Sequence, residues 1–147
     1  MVKIPVFIGE YRHNMDKKGR LAVPAAFREL LGKKFYGLVG LDHCVTIYTE
    51  KQFAKLYEKL ESYPDTKKNS RALMQQLMGS AGILEPDAQG RVLIPANLIK
   101  YAGLTKECAV IGVGNHVEIW DSTAWDKKSE ETLANLSDIA ENLPEIQ

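Results

Sequence analysis

Cysteine is nearly absent from this chain: Cys44 and Cys108 stand alone, in no C-x-x-C pair. That argues against a disulfide framework or a cysteine-based metal site, and free thiols of this kind are ordinarily buried core residues. Long apolar runs are missing too. The longest fall far short of a membrane span, and no charged-then-apolar leader precedes a small-residue cleavage site, so the chain reads as cytoplasmic. The three histidines, His13, His43 and His116, show no metal-ligand spacing, and no G-x-S-x-G, Walker or G-x-G-x-x-G motif occurs. His43 and Cys44 are sequence neighbours whose side chains should point to opposite faces, which argues against a Cys-His dyad. The expectation is a non-enzyme with no catalytic residue, metal, cofactor, membrane partner or small-molecule substrate.

Net charge is also missing, since 19 Lys/Arg balance 19 Asp/Glu. Taken alone, that speaks against a nucleic-acid partner. The distribution speaks for one. Residues 1–35 hold eight Lys/Arg (Lys3, Arg12, Lys17, Lys18, Arg20, Arg28, Lys33 and Lys34) against Glu10, Asp16 and Glu29. Residues 126–147 hold two lysines against six acids. The asymmetry suggests a basic working face and an acidic tail elsewhere. A solvated terminal helix beside ordinary surface lysines would give the same count.

What the chain does have is a repeat. Asp16-Lys17-Lys18-Gly19-Arg20-Leu21-Ala22-Val23-Pro24-Ala25 returns 71 residues later as Asp87-Ala88-Gln89-Gly90-Arg91-Val92-Leu93-Ile94-Pro95-Ala96, and Gly32 and Gly103 keep the offset. Farther on, residues 39–48 align with 111–120 at an offset of 72, which implies a one-residue insertion in the loop between. Each unit spans about fifty residues, near the size below which a chain rarely buries enough surface to fold alone. With 45% hydrophobic residues overall, the two halves are expected to share one core. The expected organisation is a first unit at 8–54, a helical connector at 55–79, a second unit at 80–126, and a C-terminal helix with acidic tail at 127–147.

Within the first unit, residues 10–15 and 20–23 read as short strands joined by the Asp-Lys-Lys-Gly turn. Gly19 and Gly90 supply the positive φ such turns need, and Asp16 and Asp87 can bond turn amides through their side chains. Pro24 and Pro95 stop the strands and start short helices at 25–31 and 96–102, with Gly32 and Gly103 as C-caps. Two further strands follow in each unit, at 34–41 with 44–48 and at 108–113 with 116–120. Thr49-Glu50-Lys51-Gln52 has the capping-box pattern, and Asp121 is an N-cap at the equivalent place. Phe53, Leu56, Tyr57 and Leu60 form one helical stripe, and Leu73, Met74, Leu77 and Met78 another in a connector helix at 66–78. The last helix places Leu133, Leu136, Ile139, Ala140 and Leu143 on one face. That stripe must bury against the domain's own core or against another subunit.

The repeated loop carries the chemistry. Asp16 can pair Arg20, and Asp87 can pair Arg91, simply to fix each turn. A bracing role, however, does not need Lys17 and Lys18 at the tip of the first loop. Cations for phosphates, and an arginine fork for a guanine edge, do call for such a cluster. A two-stranded ribbon also fits the DNA major groove. The second loop has only Arg91 among neutral neighbours.

Taken together, Phe7-Ile8-Gly9-Glu10-Tyr11, the two Asp-x-x-Gly-Arg loops, their Leu-x-Val-Pro and Val-Leu-Ile-Pro followers, Gly103-Leu104-Thr105-Lys106-Glu107 and Val117-Glu118-Ile119-Trp120-Asp121 closely resemble the MraZ family. The resemblance covers about residues 7–128, and residues 1–6 look like an extended or alternative start. It implies a mixed, β-rich α+β fold, in which two SpoVT/AbrB-type units make a double-split, swapped-hairpin β-barrel with peripheral helices. It further implies a nucleoid-associated bacterial transcriptional regulator of the division and cell-wall gene cluster, which binds repeated promoter boxes in double-stranded DNA as a ring-like homo-oligomer. The family's Asp-x-x-x-Arg pattern falls on Asp16 with Arg20 and on Asp87 with Arg91, and Lys18 sits where a DNA contact is expected.

The expected DNA-binding residues are therefore Arg12, Lys17, Lys18, Arg20 and Arg91, with Asp16, Gly19, Asp87 and Gly90 bracing the turns. Arg20 is expected to matter more than Arg91. The alternative is an oligomeric scaffold or antitoxin-like protein-interaction module that binds no DNA.

Overall fold

The structure, a computed structural model, describes residues 6–144. The proposed alternative start therefore lies outside the described residues except for Val6, as does Glu145 of the acidic tail. Both units begin with an extended segment, β1 (Glu10–Asn14) and β5 (Gly82–Leu84). Each passes through an Asp-x-x-Gly turn into a three-residue strand, β2 (Arg20–Ala22) and β6 (Arg91–Leu93). The short helices α1 (Ala25–Leu31) and α4 (Ala96–Ala102) start immediately after Pro24 and Pro95, as the sequence predicts. Hairpins close each unit: β3 (Phe35–Val39) with β4 (Val45–Thr49), and β7 (Glu107–Gly112) with β8 (Val117–Asp121).

Two consecutive strands part company at each turn. β1 and β2 do not form a hairpin; β1 pairs antiparallel with β7 of the other unit, while β2 pairs with β6. β5 likewise crosses over to pair with β3. The result is a six-stranded sheet in the order β1-β7-β8-β4-β3-β5 and a separate two-stranded ribbon, β2-β6. All the pairings are antiparallel. The fold is mixed α+β and the strand exchange between units is present. The sheet nevertheless stays open, with β1 and β5 as its edges, and no closed barrel forms among the described residues.

The strand order is a palindrome of equivalent strands, which defines a pseudo-two-fold axis. It passes between Thr46 and Glu118 in the β4–β8 pair, and between Leu21 and Val92 in the ribbon. The ladders also revise the alignment of the repeat. Leu38 pairs with Thr46 as Ile111 pairs with Glu118, and Val39 pairs with Val45 as Gly112 pairs with Val117. Two residues are thus added between the first helix and its strand in the second unit, and one is lost from the hairpin. The sequence shows only the net single insertion.

Alternation along the strands builds two packed faces. Inward residues Phe35, Val45, Ile47, Val110, Val117 and Ile119 meet Leu21 and Val92 of the ribbon, Val23 and Ile94 just after its strands, and Phe27, Leu31 and Leu98 of the short helices in one core. Phe27 anchors this layer, its ring edge-on to Phe7 and Tyr11 at centroid distances of 5.7 and 5.2 Å. The outer face is covered by three more helices. α2 (Glu50–Glu61) and α3 (Lys68–Ser80) bring Leu60 and Leu77 onto Leu38. α5 (Ser122–Ala134) brings Trp125 onto Trp120 beside Cys44, Ala109 and Ile111.

The expected caps form: Thr49 Oγ1 accepts from Gln52 N at 3.1 Å and Asp121 Oδ2 from Ala124 N at 3.1 Å. Leu73, Met74 and Met78 pack with Leu77 as their spacing predicts. Tyr57 leaves its predicted stripe and stands 44% exposed. The expected single terminal helix is broken at Asn135, where α6 (Leu136–Glu141) begins. Leu133, Leu136, Ile139 and Leu143 are all exposed, so the domain's own core is not what covers them. Among the described residues no helix is long and apolar enough to cross a membrane.

Candidate nucleic-acid interface

The ribbon brings the two repeated turns together. In the first, Asp16 Oδ1 accepts from the backbone amides of Lys18 and Arg20, both at 2.9 Å, and Oδ2 accepts from Arg20 Nε at 2.7 Å. In the second, Asp87 Oδ1 accepts from the amides of Gln89 at 2.9 Å and Arg91 at 3.0 Å. The amides of Gly19 and Gly90 close the two turns onto Asp16 O and Asp87 O, at 3.0 Å each. Both glycines have positive φ, +86° and +77°, as the turn demands. Backbone hydrogen bonds, from Arg20 in one turn and Arg91 in the other, hold the two carboxyls below the usual aspartate range. Asp16, Gly19, Asp87 and Gly90, the residues expected to brace the turns, make these contacts.

Beyond the turns, Ile94 N donates to Gly19 O at 2.8 Å and Val23 N to Gly90 O at 3.0 Å, so each unit's chain is tied to the other's turn. Leu21 and Val92 point into the core, each 1% exposed. The alternation of a strand then sends Arg20, Ala22, Arg91 and Leu93 to the opposite, outward face. Arg20 and Arg91 therefore share one surface. Asp16 joins them, since its Oδ2 lies 3.7 Å from Arg91 Nη1 as well as against Arg20 Nε. Arg91 is held less firmly than Arg20. Its Nε lies 3.3 Å from Asp87 Oδ2 without a hydrogen bond.

Lys17 and Lys18 are exposed at the rim, and among the described residues neither forms a side-chain hydrogen bond or ion pair. Arg12 is placed differently. It lies on β1, where its guanidinium donates to Asp126 Oδ1 at 2.7 Å, to Glu10 Oε2 at 2.9 Å and to Ser122 Oγ. Trp125 Nε1 donates to the other Glu10 oxygen at 2.6 Å. Hydrogen bonds from Arg12, then Trp125, draw the Glu10 carboxyl below its ordinary range. Arg12 thus fastens β1 to α5, and the structure does not bring it to the turns.

One neighbour of the second turn is invisible in a loop-by-loop reading. Arg28 of α1 lies over Gly90, where a Cβ on the glycine would overlap its guanidinium. The signal was in the repeat: Arg28 occupies the position that Ile99 holds in the second unit, and Ile99 lies over Gly19.

Neither cysteine is available for chemistry. Cys44 and Cys108 are 1% and 0% exposed, and burial pushes the Cys108 thiol up to about 11 and Cys44 higher still. His43 stacks on Tyr101 at 5.1 Å while Cys44 turns into the layer beneath α5. Among the described residues no group of three or more His, Cys, Asp or Glu side chains could hold a metal ion.

Comparison with known proteins agrees with the two-fold architecture. The family described as "MraZ protein, putative antitoxin-like" matches twice in succession, over residues 6–76 and 77–145. The transcriptional regulator MraZ of Desulforamulus reducens is 43% identical over 141 residues, which cover 96% of this chain and 99% of that protein. With both halves matched in tandem and a full-length relative at this identity, the chain belongs to the MraZ family.

Proposed function

We propose that this protein is a sequence-specific DNA-binding transcriptional regulator that uses the outward face of the β2–β6 ribbon to read duplex DNA. The observation that carries the reading is the convergence of Arg20 and Arg91 on that face, with Lys17 and Lys18 at its rim. A two-stranded ribbon fits a major groove about 12 Å wide, and an arginine fork matches the O6 and N7 of guanine. Lysines at the rim suit phosphates, which position the protein without reading sequence. Asp16 and Asp87 hold the turns that present these groups. The regulator named in Desulforamulus reducens supports the same role.

The targets proposed for it are repeated promoter boxes of the bacterial division and cell-wall gene cluster, in the cytoplasm and on the nucleoid. One domain of zero net charge with a handful of basic contacts binds duplex weakly and loses that binding steeply with salt. Several copies in a ring make the later contacts intramolecular, which raises avidity on the order of 100-fold. The exposed leucines and isoleucine of α5 and α6 are the surface we assign to contact between copies. We read the sheet, ribbon and exchanged strands as an opened form of the double-split barrel.

The second reading, a protein-interaction module of antitoxin type, is favoured by the same exposed stripe and by the family's antitoxin-like description. Affinity for duplexes selected from a random pool, measured across a salt series, separates the two. A DNA-binding regulator enriches particular duplexes and binds them with a steep negative salt slope. A pool that shows no enrichment and no salt-dependent binding refutes the DNA reading.

A further inference from the structure

We propose that Arg28 is a phosphate-binding residue of the second turn, supplied by the first repeat to make up for the cations that turn lacks. The proposal rests on the ribbon being the DNA-contacting face. In the first turn, Lys17 and Lys18 occupy the tip, and the residue packed over Gly19 is the apolar Ile99, whose Cδ1 lies 3.0 Å from the position a Cβ would take. In the second turn the tip residues are Ala88 and Gln89, and the residue over the glycine is Arg28. Charge has moved from one side of the contact to the other. Pairing of β2 with β6 makes this possible, because it sets each unit's turn against the other unit's short helix, with Arg28 of α1 over Gly90 and Ile99 of α4 over Gly19.

Arg28 is exposed, and among the described residues its guanidinium makes no hydrogen bond or ion pair. This contrasts with Arg12 and Arg20, which are both engaged by carboxylates. Arg28 and Lys33 line an open concavity of about 430 Å³ together with Glu85, Pro86, Asp87, Ala88 and Gly90. Asp87 already accepts two turn amides and faces Arg91, so Glu85 is the carboxylate left to oppose these cations. A planar guanidinium with all its donors open is suited to bidentate contact with a phosphate. The absence of a side chain at Gly90 gives it room to lie against the turn.

The test uses the full-length protein, a duplex enriched by it from a random pool, and an unrelated duplex of equal length. Affinity and salt slope are measured for wild type, Arg28→Gln, Glu85→Gln and Arg20→Ala, with melting curves for each. Arg28→Gln should weaken both duplexes by the same factor, about tenfold, and flatten the salt slope by roughly 0.9, the value for one phosphate contact. Glu85→Gln should tighten both. Arg20→Ala should weaken the enriched duplex more than the unrelated one. If Arg28→Gln binds with wild-type affinity and slope while Arg20→Ala loses binding, the Arg28 assignment is overturned and the ribbon reading stands. If the wild type binds no duplex, or neither arginine affects binding, the ribbon reading falls and Arg28 falls with it.

Discussion

Asp16 accepts three hydrogen bonds and touches a second arginine, so its carboxylate does the work of a buried group at the surface. These bonds favour the charged form and depress its pKa below the ordinary 3.8, as they do for Asp87. The sign follows: the two turns are stabilised above the unfolded value and lose that contribution as pH falls through the depressed one. Carboxyl carbon shifts followed by NMR should show both residues titrating below 3.8; midpoints at or above it would remove the bracing role. The cysteines give a second test at this scale. At pH 8 neither thiol should react with iodoacetamide until the protein unfolds, and rapid labelling of the native state would contradict their burial. The turn contacts of the aspartates were legible from turn chemistry, and the burial of the cysteines from their isolation. Arg12 was not: its cluster with His13 in sequence hid that β1 carries it to Glu10 and Asp126.

The short helices and caps were legible because proline, glycine, Thr49 and Asp121 fix them locally. Strand partners were less so. A polar turn between two short strands reads as a hairpin, yet β1 and β2 separate because Leu21 must enter the core while β1 completes the ladder of β7. That separation gives the ribbon its own exposed face. It also explains why cations counted loop by loop understated the second turn, since the residue over Gly90 comes from α1. The break at Asn135 was missed because apolar spacing continues across it. At this scale Phe27 is the principal anchor between α1, the Phe7 segment and β1. Phe27→Ala should cost about 3–5 kcal/mol in a urea titration, the usual cost of emptying a buried aromatic site. A loss below about 1 kcal/mol would show that α1 is held by other contacts.

The whole molecule is one body made from two incomplete halves. Each half's first strand belongs to the other half's hairpin, and the central β4–β8 pair joins the two. Residues 1–79 alone should therefore give no folded monomer, only unfolded chain or a dimer that exchanges the same strands. A dispersed NMR spectrum from a species of monomer mass would contradict the shared core. The shared core was foreseeable from the length of each unit, whereas the palindromic strand order is a long-range property that local patterns do not encode.

The same symmetry places Arg20 and Arg91 on one face, and the proposed function depends on that face. Binding of an enriched duplex by wild type and by Arg20→Ala, with melting curves for both, tests it most directly. The account predicts a loss of about 10- to 100-fold in affinity, as expected for one bidentate base contact. Melting should stay within about 5 °C of wild type, since partly exposed ion pairs add little stability. An Arg20→Ala protein that folds and binds the duplex as tightly as wild type would contradict the account.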